Sequence, residues 1–378
     1  MSAVSYVGMM TDSFTPTVYG VMCCAAVSVL LITSRSPWPA YTGDRLRATL
    51  WLEALRGTDV AIATPNEVPR GSLTFIRAAS RILRQQLPWH TLLGARDWRG
   101  TLADSGPFDT AIVLLTRADP WAFQAARAGR WILDAIDSAA AGMIERTNAS
   151  SGIARLFWKS EASKAERLER DAAGRYDAIV TVTAEERFGV KNVVVPIGIE
   201  VSELGDAPRT MDFGFWGRLA YFANEDAVRT LVMRIWPRIR AQKPDATLFL
   251  GGADAPSWIR RLHGHGGITV ESPMRDRSAT LRRIRVALLP IAYGSGQSLK
   301  TLEAAEAGCA IAGTPLAFRG CEELASAAIV DENIDRLARR AVALLDDTTS
   351  ASELRARVAR FYSHAMTLAQ MRALAGVA

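Results

Sequence analysis

Short apolar runs alternate with longer stretches of helical spacing, and the alternation occurs twice. This feature restricts most what the chain can fold into. Val27–Thr33 (VSVLLIT), Asp59–Thr64, Asp109–Thr116 (DTAIVLLT), Arg130–Asp137 (RWILDAID), Tyr176–Thr183 and Asn192–Ile199 read as strands. They are near-continuous apolar runs, as strands covered on both faces of a parallel sheet must be. Helical patterns lie between them, at Arg45–Arg56 and, as one long charged stretch, from about Ala141 to Arg175. A polar segment with Gly and Pro, EVSELGDAPRT from Glu200, reads as a linker. The alternation then restarts with Asp212–Gly217, a helix at Asn224–Gln242, Ala246–Gly252, Gly267–Ser272, Val286–Ile291, an alanine-rich helix, Ala310–Thr314 and Ala327–Glu332.

The expected class is therefore α/β, as two doubly wound, Rossmann-like parallel-sheet units in tandem. The spacing predicts an N-terminal domain over residues 1–200 and a C-terminal domain over 211–350. A last helical stretch, Ala351 to Leu374 within 351–378, is expected to pack back on the first domain. A chain of 378 residues is long enough for each unit to bury its own core. Ligands of such sheets bind outside the carboxyl ends of the strands, so the cleft between the two units is the expected site.

Ser13 to Ser34 carries no charge and is long enough to suggest a membrane span. Pro16 and several Ser and Thr dilute it, no Lys or Arg precedes it, and its densest part reads as a buried strand. We read it as a first core strand behind a loosely ordered extension over residues 1–25. Four cysteines, with no C-x-x-C pair, and only four histidines argue against a zinc site. Buried reduced thiols in a cytoplasmic protein are the expectation. The net charge of +6 calls for an anionic partner without saying which.

Three segments carry chemistry. The first is GSGQSLKTLEAAEAGCAIAGT, Gly294 to Thr314. Small residues let amides of Gly294, Ser295, Gly296, Gln297 and Ser298 approach a phosphate at a helix N-terminus. Lys300 adds a full charge, with Thr301 beside it. The carboxylate of Glu303, one turn on, suits the paired hydroxyls of a ribose. A solvated Lys–Glu pair on one helix face is the plainer alternative. The second is FGFWGRLAYFANEDAV, where Arg218 at a strand end suits a pyrophosphate; a surface pair with Glu225 or Asp226 is the alternative. The third is ITSRSPWPAYTGDRLRA, where Gly43 permits close backbone approach and Asp44 is either an N-cap or a substrate ligand.

Together these segments resemble the GT-B glycosyltransferases of family 4, the retaining nucleotide-sugar transferases, and within them the branch found in exopolysaccharide clusters. The resemblance extends to ILDAIDS, RYDAIVTVTAEE and LLPIAYGSGQSLKTLEAAEAGCAIAGTPLAFRG and covers roughly Val27 to Leu345. It implies a GT-B fold and a donor site in which Glu303 holds the ribose, Arg218 the diphosphate with Lys300 second, and Gly43 stands near the donor phosphates. Ser272–Arg275 lines the base, with Met274 a wall. The donor is UDP- or GDP-linked and acts as co-substrate, with no cofactor. Two departures stand out. Ser295 occupies the place of the first of the family's two glutamates, which leaves sugar recognition to the Gly294–Gln297 amides. Asn224 lies near where relatives have a phosphate-binding lysine, for which Lys300 would compensate. The resemblance implies front-face transfer with no protein nucleophile; Asp44, Asp134 and Asp137 are acids near strand ends.

Arg70 to Arg99 is basic and aromatic, with Arg70, Arg77, Arg81, Arg84, Arg96, Arg99, Trp89 and Trp98. Such a segment can lie on an anionic leaflet or pack as an ordinary amphipathic helix. His90 falls in it; with Arg45 it is a candidate on the acceptor side. Nothing else supports nucleic-acid binding. The expected function is transfer of a sugar to a saccharide or polyprenyl-linked saccharide by a cytoplasmic enzyme that is peripheral on the inner face of the cell membrane. A nucleotide-sugar epimerase, which turns over donor without acceptor, and a silent sugar-nucleotide binder are the rivals.

Overall fold

A computed structural model describes residues 27–38, 43–64, 73–93, 107–123, 126–186, 188, 191–205 and 208–377. The extension expected over 1–25, and Arg70, Arg96, Trp98 and Arg99 of the basic stretch, lie outside the described residues.

The first sheet contains β1 (Ser28–Ile32), β2 (Asp59–Ala63), β3 (Phe108–Leu114), β4 (Ala128–Ile136), β5 (Ala178–Thr181) and β6 (Asn192–Val194), in the order β2-β1-β3-β4-β5-β6. The second contains β7 (Met211–Trp216), β8 (Leu248–Gly251), β9 (Ile268–Glu271), β10 (Ile284–Leu289), β11 (Ala310–Gly313) and β12 (Ile329–Val330), in the order β12-β11-β10-β7-β8-β9. Every pairing is parallel. Val29 to Ile32 of β1 are fully buried, so the dense end of the charge-free run is a core strand. Strand order reverses between β1 and β3 in one sheet and between β7 and β10 in the other. Loops leaving such switch points diverge and open a crevice.

On the first sheet lie α1 (Gly43–Ala54), α2 (Leu73–Arg84), α3 (Asp119–Ala122), α4 (Ala139–Ala149) and α5 (Gly152–Arg175). The single charged helix expected from Ala141 to Arg175 is instead the hairpin α4–α5. Ser150 and Ser151 are extended and Gly152 takes φ +57°, a left-handed turn that glycine adopts without strain. On the second sheet lie α6 (Phe222–Thr230), α7 (Trp236–Gln242), α8 (Ser257–Arg260), α9 (Arg277–Leu281), α10 (Leu299–Glu306), α11 (Ile334–Ala341) and α12 (Thr348–Phe361). α6 runs into α7 through a π turn, Leu231–Ile235. Pro237, which has no N–H to give the preceding turn, follows directly, and the ladder widens before it.

The last stretch also divides in two. α12 packs on the second sheet, and the chain then crosses at Tyr362–Ser363 to α13 (His364–Ala375), which lies against α1. Ile199 N donates to Tyr362 O at 2.9 Å, and Gly198 sits so close that a Cβ there would meet Ser363 O at 2.4 Å. Met371, Ala375 and Val377 join the core under β1 and β3, and Thr110 Oγ1 donates to Ala375 O at 3.2 Å. The two domains are thus tied by a double crossing, the linker outward and α13 back. Among the described residues no helix is long and apolar enough to cross a membrane.

Candidate active site

β7 ends at Trp216–Gly217–Arg218, beside the loop that leaves β10 for α10. Gly252, after β8, takes φ +139°, and a Cβ there would lie 1.7 Å from Gly217 O. Only a glycine allows that approach, which holds the ends of β7 and β8 together. Lys300 enters from the first turn of α10. Its Nζ lies 5.6 Å from the centroid of Phe215 and 3.3 Å from where a Cβ on Gly217 would stand. It makes no hydrogen bond or ion pair with the described residues. Burial lowers its pKa from 10.5 to about 8, opposed by Glu303 and assisted by Arg277. It is a half-desolvated cation next to Asn224, whose Nδ2 donates to Arg218 O at 2.9 Å.

Glu303 lies on the same helical face. Its Oε2 accepts from Trp216 Nε1 at 2.8 Å and from Arg277 Nη2 at 2.7 Å, and its side chain is 20% exposed. Oε1 makes no hydrogen bond among the described residues, so one oxygen is anchored and the other is available. Arg218 is 71% exposed and its Nε donates to Asp254 at 2.8 Å. That partner is neither Glu225, which accepts from Trp258 Nε1 at 2.8 Å, nor Asp226. An exposed pair of this kind contributes at most about 1 kcal/mol, so an anion can displace Asp254 at little cost. Met274 is half-buried over the end of β8, its Sδ 2.7 Å from where a Cβ on Gly251 would be.

The loop Gly294–Ser298 differs from the open amide cradle suggested by its composition. Two acids of the N-terminal domain already hold it. Glu186 accepts from Gly296 N at 3.1 Å and Asp137 Oδ2 from Ser295 Oγ at 3.1 Å. Arg319 donates to Glu186 Oε1 at 2.7 Å and to Gly294 O at 3.1 Å. Gln297 is spent on the domain contact, accepting from Ile197 N at 2.7 Å and donating to Gly320 O at 3.2 Å. Ser298 Oγ lies 3.0 Å from Thr301 Oγ1. Thr301 itself is fully buried with its hydroxyl on Ala317 O, in the core rather than at the cleft. Burial, with repulsion from Glu186, raises the Asp137 pKa to about 6.

On the N-terminal side, α1 opens at Gly43, where a Cβ would meet nothing within 4 Å. The helix starts before the expected Arg45, so Asp44 lies inside its first turn and is not an N-cap. Its carboxylate takes both donors of Arg35, at 2.6 and 2.8 Å, and Arg117 Nη2 at 2.6 Å. Asp44 is a clamp for two guanidinium groups, and Arg45 is half-buried next to it. His90 lies in the turn Trp89–Leu93 near Arg117 and Glu161. Both ring nitrogens are buried with no partner among the described residues, and burial lowers its pKa to about 4, so it is neutral at pH 7. Asp134 is fully buried, accepting from Arg47 Nε at 2.7 Å and Trp51 Nε1 at 2.6 Å, and lies outside the cleft.

Arg277, Trp216, Glu145, Glu186 and Arg319 are cleft residues that pattern reading did not single out. Trp216 could have been found: an indole N–H at the end of a core strand requires an acceptor, and Glu303 provides it. The others lie on loops or helices whose folding onto the cleft is a tertiary event.

Residues 210–347 match the family model described as glycosyl transferases group 1. No curated protein matches the chain in sequence. Among solved structures it resembles a UDP-forming α,α-trehalose-phosphate synthase from Burkholderia xenovorans, with a TM-score of 0.63 and 13% identity over 93% of this chain and 99% of that one. It resembles Anabaena HepE in complex with UDP and glucose, with a TM-score of 0.60 and 12% identity over 93% and 99%. It also resembles S. aureus TarM in complex with fondaparinux, α-GlcNAc-glycerol and UDP, with a TM-score of 0.55 and 13% identity over 70% and 55%. The chain thus spans about half the length of TarM. The fold is GT-B: two parallel six-stranded sheets facing each other across a cleft. The match over 210–347 falls within the C-terminal domain, which is the part of the chain similar to the glycosyl transferases of group 1.

Proposed function

We propose that the protein transfers a sugar from a nucleotide-diphosphate donor, held between the domains, to a saccharide or lipid-linked saccharide, with retention at the anomeric carbon. The observation that carries this is Lys300: a half-buried ammonium with no hydrogen-bonding or ion-pairing partner among the described residues, at the end of β7, with Glu303 one turn away on the same helix. A buried cation without an anion is costly, and a bound diphosphate removes that cost. In this reading Arg218 leaves Asp254 for the same diphosphate. The free Oε1 of Glu303 accepts from a ribose hydroxyl, Met274 borders the base, and Gly43 gives the donor room at the N-terminal face.

Breaking the bond between the anomeric carbon and the diphosphate oxygen puts negative charge on the leaving group. Lys300, Arg218 and the N-terminus of α10 stabilise that charge in place. The leaving phosphate takes the proton of the incoming hydroxyl on the same face, so no side-chain nucleophile is assigned. His90, neutral and without a partner, is the group we assign to the acceptor side, with Arg45. The UDP bound in the TarM and HepE complexes favours a uridine donor. The family 4 and exopolysaccharide assignment rests on the sequence blocks, and cytoplasmic, membrane-peripheral placement on the basic stretch. The test is a thermal-shift panel of UDP- and GDP-sugars, in which ligand binding to the native state raises the apparent Tm. Arg218→Ala should reduce the shift without lowering the ligand-free Tm, and Glu303→Gln, which keeps an oxygen acceptor for Trp216 Nε1, should reduce it with the chain still folded. An unchanged shift in both would discard the site.

A further inference from the structure

Away from the interdomain cleft, the N-terminal domain carries a groove of about 630 Å³ between α2, the turn at Trp89 and α5. This volume is within the range of sites for small molecules. Its floor is apolar: Leu83, Leu87, Trp89 and Leu156. Leu83 is 67% and Leu156 68% exposed, and Phe157 and Ile153 continue the apolar surface along the outer half of α5. Large apolar side chains gathered in one exposed concavity mark a binding surface rather than ordinary surface noise.

The rim of the groove is cationic: Lys159, Lys164 and Arg167. Lys159 makes no ion pair among the described residues. Lys164 is offset by Glu161 at 2.6 Å, so the net charge of the rim comes from Lys159 and Arg167. Arg167 donates to the neutral oxygens of Gln86. An apolar floor under an unbalanced positive rim is complementary to an anionic amphiphile. One end of the groove lies on the acceptor side of the domain: Trp89 lines it, His90 follows with an imidazole that has no partner among the described residues, and Arg117 near His90 is clamped by Asp44 in the first turn of α1.

We infer that this groove holds the lipid chain and phosphate of a lipid-linked acceptor and so delivers the saccharide end toward the cleft. The inference rests on the proposed transferase reading and deepens it. It uses α5, which the sequence showed only as a charged helix, and it makes the acceptor lipid a ligand of a groove rather than of a flat membrane-facing patch.

The probe is geranylgeranyl phosphate at monomeric concentration, added to the full chain and followed by tryptophan fluorescence, with inorganic phosphate and geranylgeraniol as control arms. We expect saturable binding of the lipid phosphate, weaker binding of the alcohol and none of phosphate alone. Leu83→Glu with Leu156→Glu should weaken binding by roughly tenfold or more, since both chains are buried only by the ligand. Lys159→Glu should weaken binding of the lipid phosphate more than that of the alcohol. These exposed substitutions should leave the Tm and the nucleotide-induced thermal shift unchanged. Equal binding in wild type and the leucine double variant overturns the inference. So does binding to anionic vesicles without binding of the monomeric lipid phosphate, which would make the surface a flat bilayer contact. Groove binding that persists while no nucleotide shifts the Tm would support the groove and sink the donor reading instead.

Discussion

The two domains share one architecture and use charge in opposite ways. In the N-terminal domain the charged groups near the strand ends are committed. Asp134 is buried with Arg47, Asp44 is clamped by Arg35 and Arg117, and Glu186 accepts from Ser138, Gly296 and Arg319. In the C-terminal domain the corresponding groups are held in reserve: among the described residues Lys300 has no partner, Glu303 keeps one oxygen free, and Arg218 is tied only by an exposed pair. Paired charges hold a wall in place, although both Nη groups of Arg47 are buried with no partner among the described residues. A desolvated, unsatisfied group is one prepared for a ligand.

Removing a group from each kind should therefore produce opposite signatures. The largest effect is expected at Asp134. Asp134→Ala leaves the Arg47 guanidinium buried without its carboxylate and should cost about 3–5 kcal/mol in denaturant unfolding, with donor affinity unchanged in the folded fraction. Next comes Lys300→Ala, which should lower turnover by roughly 100-fold while the Tm stays within a few degrees or rises. If Lys300→Ala unfolds the protein and Asp134→Ala does not, the contrast between the domains is wrong.

A smaller effect is expected where the domains meet. The folded-state pKa of Asp137 is raised to about 6, so the native state binds its proton more tightly than the unfolded chain does. Its contribution to stability is present at low pH and is lost as pH rises through about 6. Asp137→Asn should therefore stabilise the protein at pH 7.5, by up to about 2 kcal/mol, and by about half as much at pH 5, where the unfolded carboxyl is ionised and the native one is still protonated. Chemical denaturation at the two pH values checks this. Equal effects at both would show that Asp137 is not held against Glu186 as the structure has it.

The same contrast explains what was legible in the sequence. Strand runs such as DTAIVLLT and VALLPI are buried on both faces, and burial alone made them readable. The break at Gly152 and the crossing at Tyr362–Ser363 were not readable, because helical spacing continues through both. In the site, Lys300 and Glu303 share one helix, so their juxtaposition was readable from a spacing of three. The hold of Glu186 and Asp137 on the Gly294–Gly296 loop was not. It joins residues more than a hundred positions apart, and each acid by itself resembles a surface charge. Arg218 misled in its partner, since Asp254 is nearer in space than the acids next to it in sequence.

The account depends on Lys300 waiting for a diphosphate, and its shifted pKa makes that directly measurable. Calorimetric titration of UDP, and of GDP in parallel, should be run from pH 7 to 9.5 in buffers of differing ionisation enthalpy. Lys300 is charged below about 8, so affinity should be level there. Above it, affinity should fall by up to about tenfold per pH unit, with one proton taken up on binding, and Lys300→Met should abolish both the uptake and the slope. Nucleotide affinity that is flat across this range in the wild type, with no proton uptake, would contradict the account, as would the absence of any nucleotide binding.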